Sequence, residues 1–217
     1  NEPDTDMSLP ADQEWARRVM DRAQSTEGRS LGVATLESGL LPDELGPING
    51  RIEIDGIIQK LRRGGSKWAA KGASGRAKIL LKAAEEISVR RGDLLSVMLS
   101  EAGKTLAESD PEISEAIDFA RYYAQQALEL ERLDGAQFEP VRLTMAVPPW
   151  NFPVAIPTGS VTSALAAGSA VMIKPAPQAR RCAAVMVEAL WAAGVPKDAL
   201  HLVDVSEGEL GRLLISH

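Results

Sequence analysis

The chain carries the sequence Pro148-Pro149-Trp150-Asn151-Phe152-Pro153, and Val171-Met172-Ile173-Lys174-Pro175 follows it after a segment rich in small residues. The first peptide predicts a loop between a strand and a helix, and the second predicts a short buried strand that ends at a lysine. Ligands of open α/β sheets bind outside the carboxyl ends of the strands. Asn151 and Lys174 are therefore placed where a nucleotide and a reacting carbonyl could meet.

The sequence from residue 141 onward predicts alternating strands and helices. Val141, Leu143, Met145 and Val147 alternate with other residues, as in a half-buried strand. Gly168 is predicted to end the helix that follows. The predicted strands span 141–147, 171–173 and 200–205, and the predicted helices span 156–167, 180–193 and 208–215. This order predicts an α/β fold with the first half of a doubly wound parallel nucleotide-binding sheet, although the first turn lacks a G-x-G-x-x-G fingerprint.

The sequence before the sheet predicts helices. Gly92 is expected to end one helix and Asp93 to cap the next, and Asp110-Pro111-Glu112 predicts a further helix start with Pro in the first turn. The predicted domains are an N-terminal arm at 1–50, a helical region at 51–137 and the first half of the nucleotide-binding domain at 138–217. Because the chain starts with Asn and stops in or just after a predicted helix, we expect it to be part of a longer polypeptide.

Composition excludes several classes of function. Twenty-four basic and thirty acidic residues give a net charge of −6, which argues against nucleic-acid binding. One cysteine cannot form an intrachain disulfide or a multi-cysteine zinc site, and it fits a reducing compartment, so we expect the cytoplasm. No apolar run is long enough for a membrane span, so membrane association is expected only through other domains.

Three positions suit ligand binding, and each has an ordinary structural alternative. The carboxamide of Asn151 could stabilise an oxyanion, or Asn151 could be a turn residue. The ammonium of Lys174 could donate to ribose hydroxyls or a phosphate, or it could be an exposed strand end. Gly208 and Gly211 could bring a helix N terminus close to a ligand, or they could serve a turn and tight packing.

Other candidates are assigned from helical spacing. Glu115 shares a face with Phe119 and Tyr122, away from the apolar stripe of its helix. Cys182 lies on an apolar helix face and is expected to be a small buried hydrophobe rather than a nucleophile. No metal site is expected, because His201 and His217 lack partners at metal-ligand spacing.

The motifs P-W-N-F-P from Pro149, K-P-A-P-Q from Lys174 and E-G-E-L-G from Glu207 resemble the aldehyde dehydrogenase superfamily. The likeness extends back through Glu101-Ala102-Gly103-Lys104-Thr105 and the helices of Trp68 and Arg76. Within the superfamily, the chain is most similar to the L-glutamate γ-semialdehyde (1-pyrroline-5-carboxylate) dehydrogenase modules of bacterial proline utilization A.

The resemblance implies NAD(P)-dependent oxidation of glutamate γ-semialdehyde to glutamate, the second step of proline catabolism. It implies that Asn151 holds the aldehyde oxygen and that Phe152 and Glu115 belong to the substrate site. It assigns the cofactor site to Pro149, Trp150, Lys174, Ala176, Gly208 and Gly211. NADP is not excluded, because Pro177 stands where many members of the family have Glu.

The resemblance also implies that the catalytic Cys and Glu lie beyond this chain. FAD is expected only in a preceding proline dehydrogenase domain, and the partners are a small aldehyde and either a homo-oligomer or the remainder of a bifunctional polypeptide. Two alternatives stay open: another aldehyde dehydrogenase, such as a succinate-semialdehyde type, or an inactive nucleotide-binding or assembly fragment.

Overall fold

A layer of helices packs on a three-stranded parallel sheet in the computed structural model, which describes residues 1–26, 48, 50–132, 134–135, 138–205 and 208–217. The helices before the sheet are α1 (Pro10–Thr26), α2 (Arg51–Ala69), α3 (Gly72–Val89), α4 (Arg91–Ala102) and α5 (Leu106–Leu130). The remaining elements are β1 (Leu143–Ala146), α6 (Ala155–Ala166), β2 (Ala170–Ile173), α7 (Arg180–Ala192), β3 (Leu200–Leu202) and α8 (Glu209–Ser216).

The sheet has the strand order β1-β2-β3, and both pairs are parallel. Leu143 aligns with Ala170 and Ala146 with Ile173, so β1 is shorter than the predicted 141–147. The strand predicted at 200–205 likewise ends at Leu202, beyond which the N–H of Val203 still donates to Ile173. The predicted α/β order and parallel pairing are confirmed, since the crossover helices α6 and α7 connect the strands.

Both faces of the sheet are covered, as a parallel sheet requires. Val171 and Ile173 join the main core with the helical layer, whereas Ala170 and Met172 lie in a second cluster. That second cluster also contains residues of α2 and α8, which are Ile54, Ile58, Leu61 and Leu214. The alternation along β2 therefore places a buried side chain on each face in turn.

The helical layer fastens the C-terminal end of α6. Gly168 has φ +87°, the left-handed conformation predicted to end this helix. The indole N–H of Trp68 donates to the carbonyl of Leu165 at 2.8 Å, and Nε of Arg76 donates to Ala166 at 3.0 Å. These bonds add side-chain donors to carbonyl groups of the last turn, where a helix runs out of its own N–H donors.

Three predicted helix boundaries are wrong. Helix α5 begins at Leu106 rather than at Asp110, because Thr105 and Glu108 form a capping box and Pro111 lies inside the helix. Helix α3 ends at Val89 and α4 begins at Arg91, so Gly92 and Asp93 are both helical. Asp93 instead forms an ion pair with Arg22 of α1 at 2.7 Å.

The N-terminal residues lie against the helical layer. The N–H of Glu2 donates to Asp118 of α5 at 2.9 Å, and the N–H and hydroxyl of Thr5 donate to Asp110 at 2.6 and 2.8 Å. Helix α1 then packs on α4. The rest of the predicted arm, residues 27–47 and 49, lies outside the described residues, and the domain boundaries stay a prediction. In the part of the chain that the structure describes, no helix has the length and apolar character needed to cross a bilayer.

Candidate functional site

The loops that follow β1 and β2 lie side by side at the carboxyl edge of the sheet. Lys174, directly after β2, donates its N–H to the carbonyl of Ala146 at the end of β1, at 2.9 Å. The segment with Pro149, Trp150, Asn151 and Phe152 starts just beyond Ala146. The structure therefore brings the Asn151 loop and the Lys174 loop to one edge, where an open α/β sheet binds its ligands.

Asn151 is exposed at this edge, and its backbone carbonyl accepts a hydrogen bond from a lysine of the helical layer. Nζ of Lys104 donates to the carbonyl oxygen of Asn151 at 3.1 Å and lies 4.8 Å from the centre of the Phe152 ring. Trp150 is 53% exposed and Phe152 is 45% exposed, so both aromatic rings face outward with the carboxamide. The loop thus exposes the Asn151 carboxamide, which can donate hydrogen bonds to a polarised carbonyl, next in sequence to two exposed aromatic side chains.

Glu112 of α5 binds the start of α6 beside this loop. Its Oε1 accepts hydrogen bonds from the N–H groups of Val154 at 2.7 Å and Ala155 at 3.0 Å. Its Oε2 accepts a hydrogen bond from Nζ of Lys104 at 2.6 Å. Val154 provides no side-chain cap of its own. A buried carboxylate from another helix therefore satisfies amide groups that would otherwise lack partners.

Glu101 caps α7 in the same manner. Its two carboxylate oxygens accept the N–H groups of Arg181 and Cys182, both at 2.9 Å. Sequence reasoning missed the roles of Glu101, Glu112 and Lys104, although both Glu101 and Lys104 belong to the E-x-G-K segment of the resemblance. The available signal was the absence of Ser, Thr, Asp or Asn at the start of either crossover helix, which implies a cap from elsewhere.

Glu112 and Glu101 occupy the N termini of α6 and α7. The other helix that the structure describes after a strand, α8, carries Glu209 in its first turn, where the side chain is exposed and its charge is screened by water. A carboxylate at a helix N terminus opposes a second anion there. Gly208 before α8 has φ +120°. Among the described residues other than its chain neighbours, nothing lies within 4 Å of where its Cβ would be, and Gly211 is buried one turn later. This geometry suits the predicted approach of a nucleotide phosphate to Gly208.

Lys174 is 7% exposed, which argues against the alternative of a solvated strand end. Ala176 is partly exposed beside it, and Pro177 begins a short 3₁₀-helix, Pro177–Ala179. Pro177 therefore places a neutral residue where the family resemblance led us to expect Glu. Ribose hydroxyls remain suitable acceptors for the ammonium of Lys174.

Glu115, Phe119 and Tyr122 line one pocket of about 460 Å³, together with Asn1, Glu2 and Asp118. Gly159 of α6 permits close approach of the Phe119 ring, because a Cβ at Gly159 would lie 3.2 Å from it. Glu115 follows Glu112 by about one turn of α5, so one helix carries both the loop cap and the candidate substrate residue. The predicted grouping of these three side chains agrees with the pocket, and the role of Glu115 stays a prediction.

Cys182 is buried in the core of α7. Burial raises the pKa of its thiol well above the ordinary value, and the nearby charge of Glu101 raises it further. Arg181 is also buried and its charge lowers this pKa, but burial and Glu101 outweigh it. Within the described residues, no group of His, Cys, Asp and Glu could hold a metal ion.

Comparison with known proteins identifies the family. The profile of the aldehyde dehydrogenase family matches residues 47–217, and the chain therefore belongs to this family. The chain is 33% identical over 178 residues to a 1-pyrroline-5-carboxylate dehydrogenase of Bacillus pumilus, covering 77% of this chain and 35% of that protein. The chain thus spans about a third of this relative and 47% of another from Geobacillus.

Solved structures agree with this assignment. The structure of proline utilization A from Corynebacterium freiburgense has a TM-score of 0.83 and 39% identity, over 100% of this chain and 20% of that one. A 1-pyrroline-5-carboxylate dehydrogenase from Thermus, solved with bound NAD, has a TM-score of 0.84 and 26% identity, over 100% of this chain and 47% of that one.

Proposed function

We propose that this chain supplies the oxyanion donor and part of the nucleotide site of an NAD(P)-dependent dehydrogenase that converts glutamate γ-semialdehyde to glutamate. The observation that carries the proposal is the meeting of the exposed Asn151 carboxamide and the buried Lys174 at adjacent strand ends. The relatives named for 1-pyrroline-5-carboxylate support this substrate, and the Thermus structure with NAD supports this cofactor.

The residues of this chain fit a nucleotide. Lys174 donates to the ribose, and the N terminus of α8 at Gly208 takes a phosphate, since Glu101 and Glu112 already occupy the other two helix starts. Pro149, Trp150, Ala176 and Gly211 complete the surface around it. When bound at these residues, NAD would supply the hydride acceptor for the aldehyde. Pro177 supplies no carboxylate against a 2′-phosphate, so NADP is a second acceptor to be measured.

The chemical step uses Asn151. When a cysteine thiolate forms a bond to the aldehyde carbon, the carbonyl oxygen gains a negative charge, which the amide N–H groups of Asn151 stabilise. Loss of hydride then gives a thioester, and water releases glutamate and restores the thiol. Burial and the charge of Glu101 raise the pKa of Cys182 and disfavour its thiolate, so we propose that the reacting thiol lies outside these 217 residues. The family resemblance implies the same for the Glu base.

We further propose that Phe152 and Glu115 contact the aldehyde, and that the chain works in the cytoplasm as part of a larger polypeptide. The 20% share of the Corynebacterium proline utilization A chain that it covers supports the last point. A flavin would belong to a separate proline dehydrogenase domain of such a polypeptide.

A panel of aldehydes tests the function in the full-length protein. Glutamate γ-semialdehyde should give one glutamate for each reduced nucleotide, with kcat/KM well above that for succinate semialdehyde. The same assay with NAD and NADP measures the cofactor preference. A higher kcat/KM for succinate semialdehyde would assign the chain to another aldehyde dehydrogenase, and absence of turnover with every aldehyde would favour an inactive assembly module.

A further inference from the structure

Lys104 and Glu112 form a buried ion pair next to the Asn151 loop. Nζ of Lys104 lies 2.6 Å from Oε2 of Glu112, and their side chains are 13% and 1% exposed. Such a pair is weak evidence for stability, because removing two charges from water costs nearly as much as their attraction returns. Its position, rather than its strength, distinguishes it from the surface pairs of the chain.

The pair fastens the loop on both sides of the candidate oxyanion donor. On one side, Lys104 donates to the carbonyl of Asn151 at 3.1 Å and contacts the Phe152 ring. On the other side, Glu112 accepts the N–H groups of Val154 and Ala155 at 2.7 and 3.0 Å. The backbone around Asn151 is thereby fixed, while its carboxamide stays exposed at the sheet edge.

An oxyanion donor works only when it is aimed at the position that the charged oxygen will occupy. A misplacement of about 1 Å can cost on the order of 10²-fold in rate, and rigid surroundings prevent it. We propose that Lys104 and Glu112 are positioning residues that set the direction of the Asn151 carboxamide. This inference rests on the proposed role of Asn151, and neither residue of the pair contacts the aldehyde in it.

Lys104→Met in the full-length enzyme tests the inference, since Met keeps most of the stem and removes the charge. It should lower kcat by about 10-fold to 10²-fold, with the KM for aldehyde and the Kd for NAD nearly unchanged. Lys67→Met, which makes the same substitution at an exposed ion pair, is the control. It breaks the Lys67–Asp198 pair, 3.6 Å apart, at the opposite edge of the sheet, and it should leave kcat unchanged.

A double-mutant cycle with Asn151→Ala separates positioning from a general loss of structure. If Lys104 acts through Asn151, Lys104→Met should lower kcat no further in the Asn151→Ala background. If the kcat losses of Lys104→Met and Asn151→Ala multiply in the double variant, the inference is overturned, while the proposed role of Asn151 is unaffected. An unchanged kcat in Asn151→Ala alone would overturn both.

A second variant covers the case in which Lys104→Met fails to fold with an unpaired buried carboxylate. Lys104→Met/Glu112→Gln removes both charges and keeps an amide oxygen for Val154 and Ala155. This double variant should fold, retain NAD binding and show the same loss of kcat as Lys104→Met. In the Asn151→Ala background it should lower kcat no further. Wild-type kcat in this folded variant would contradict the positioning role.

Discussion

Lys174 is a charged residue in a place where lysine is uncommon. Its 7% exposure follows from the buried strand before it, and a buried ammonium needs acceptors that offset the loss of water. Ribose hydroxyls can provide them. We therefore predict that Lys174→Ala raises the Kd for NAD by about 10-fold to 10²-fold, as for loss of a charged hydrogen bond, with little change in kcat at saturating NAD.

Calorimetry on the full-length enzyme measures this effect. Lys82→Ala is the control, because Lys82 is an exposed lysine of α3. This variant should bind NAD with the affinity of the wild type. Equal affinity in Lys174→Ala and the wild type would show that Lys174 has only a structural role.

Cys182 shows how burial decides the role of a reactive residue type. Its raised pKa leaves little thiolate, so the native 217-residue chain should have no aldehyde dehydrogenase activity and should react slowly with iodoacetamide. Cys182→Ala should lower the free energy of unfolding by about 1 kcal/mol without changing kcat of the full-length enzyme. Aldehyde-dependent NADH formation by the chain alone, lost in Cys182→Ala, would contradict this assignment.

At the scale of elements, helix α2 approaches the segment before β3 and the residue before β1 through two glycines. A Cβ at Gly64 would lie 1.7 Å from the carbonyl oxygen of Asp198, and a Cβ at Gly65 would lie 2.5 Å from that of Arg142. Since backbone atoms cannot move aside easily, Gly64→Ala should lower the free energy of unfolding by at least about 1–3 kcal/mol, as other overpacking substitutions do.

Gly56→Ala supplies a matched control within the same helix. Among the described residues, apart from its chain neighbours and the backbone of its own helix, nothing lies within 4 Å of a Cβ at Gly56. The substitution should therefore stabilise the protein by about 0.5–1 kcal/mol, the usual advantage of Ala over Gly inside a helix. Chemical denaturation compares both variants with the wild type, and stabilisation by Gly64→Ala would show that α2 lies further from Asp198.

The capping box of α5 makes the stability of this helix depend on pH. The pKa of Glu108 is lowered because its carboxylate accepts hydrogen bonds from the N–H and hydroxyl of Thr105. A lowered pKa in the folded state adds stability at pH values above the unfolded pKa, and this stability is lost as the pH falls through the folded pKa. Wild type should thus exceed Glu108→Gln in urea stability at neutral pH, and the difference should close in acid. A difference that grows in acid would contradict the sign.

Local sequence signals predicted elements well where one physical cause acted alone. The β-α-β order and the end of α6 at Gly168 followed from alternation and from the conformational freedom of glycine. The start of α5 did not, because Asp110 and Pro111 resemble a cap while the Thr105–Glu108 box precedes them. Asp110 is instead an acceptor for Thr5 and Arg91, and such distant partners leave no local pattern.

At the scale of the molecule, α5 connects the parts of the candidate site. It carries Glu112 at the Asn151 loop, the pocket residue Glu115, and Asp118 and Asp110, which bind the N-terminal residues. The sequence indicated Asn151, Lys174 and Gly208 because each follows a strand. The sequence could not indicate that Glu101 and Glu112 accept the N–H groups at the N termini of α7 and α6, which disfavours anion binding there. Both carboxylates act across long sequence separations.

The turnover of Asn151→Ala in the full-length enzyme tests the central claim most directly. With saturating glutamate γ-semialdehyde and NAD, kcat should fall by about 10²-fold or more, as for loss of one oxyanion donor, while the Kd for NAD stays nearly constant. Gln125→Ala, which removes an exposed amide of α5, is the control and should keep wild-type kcat. Wild-type kcat in Asn151→Ala, or a loss explained entirely by weaker NAD binding, would contradict the account.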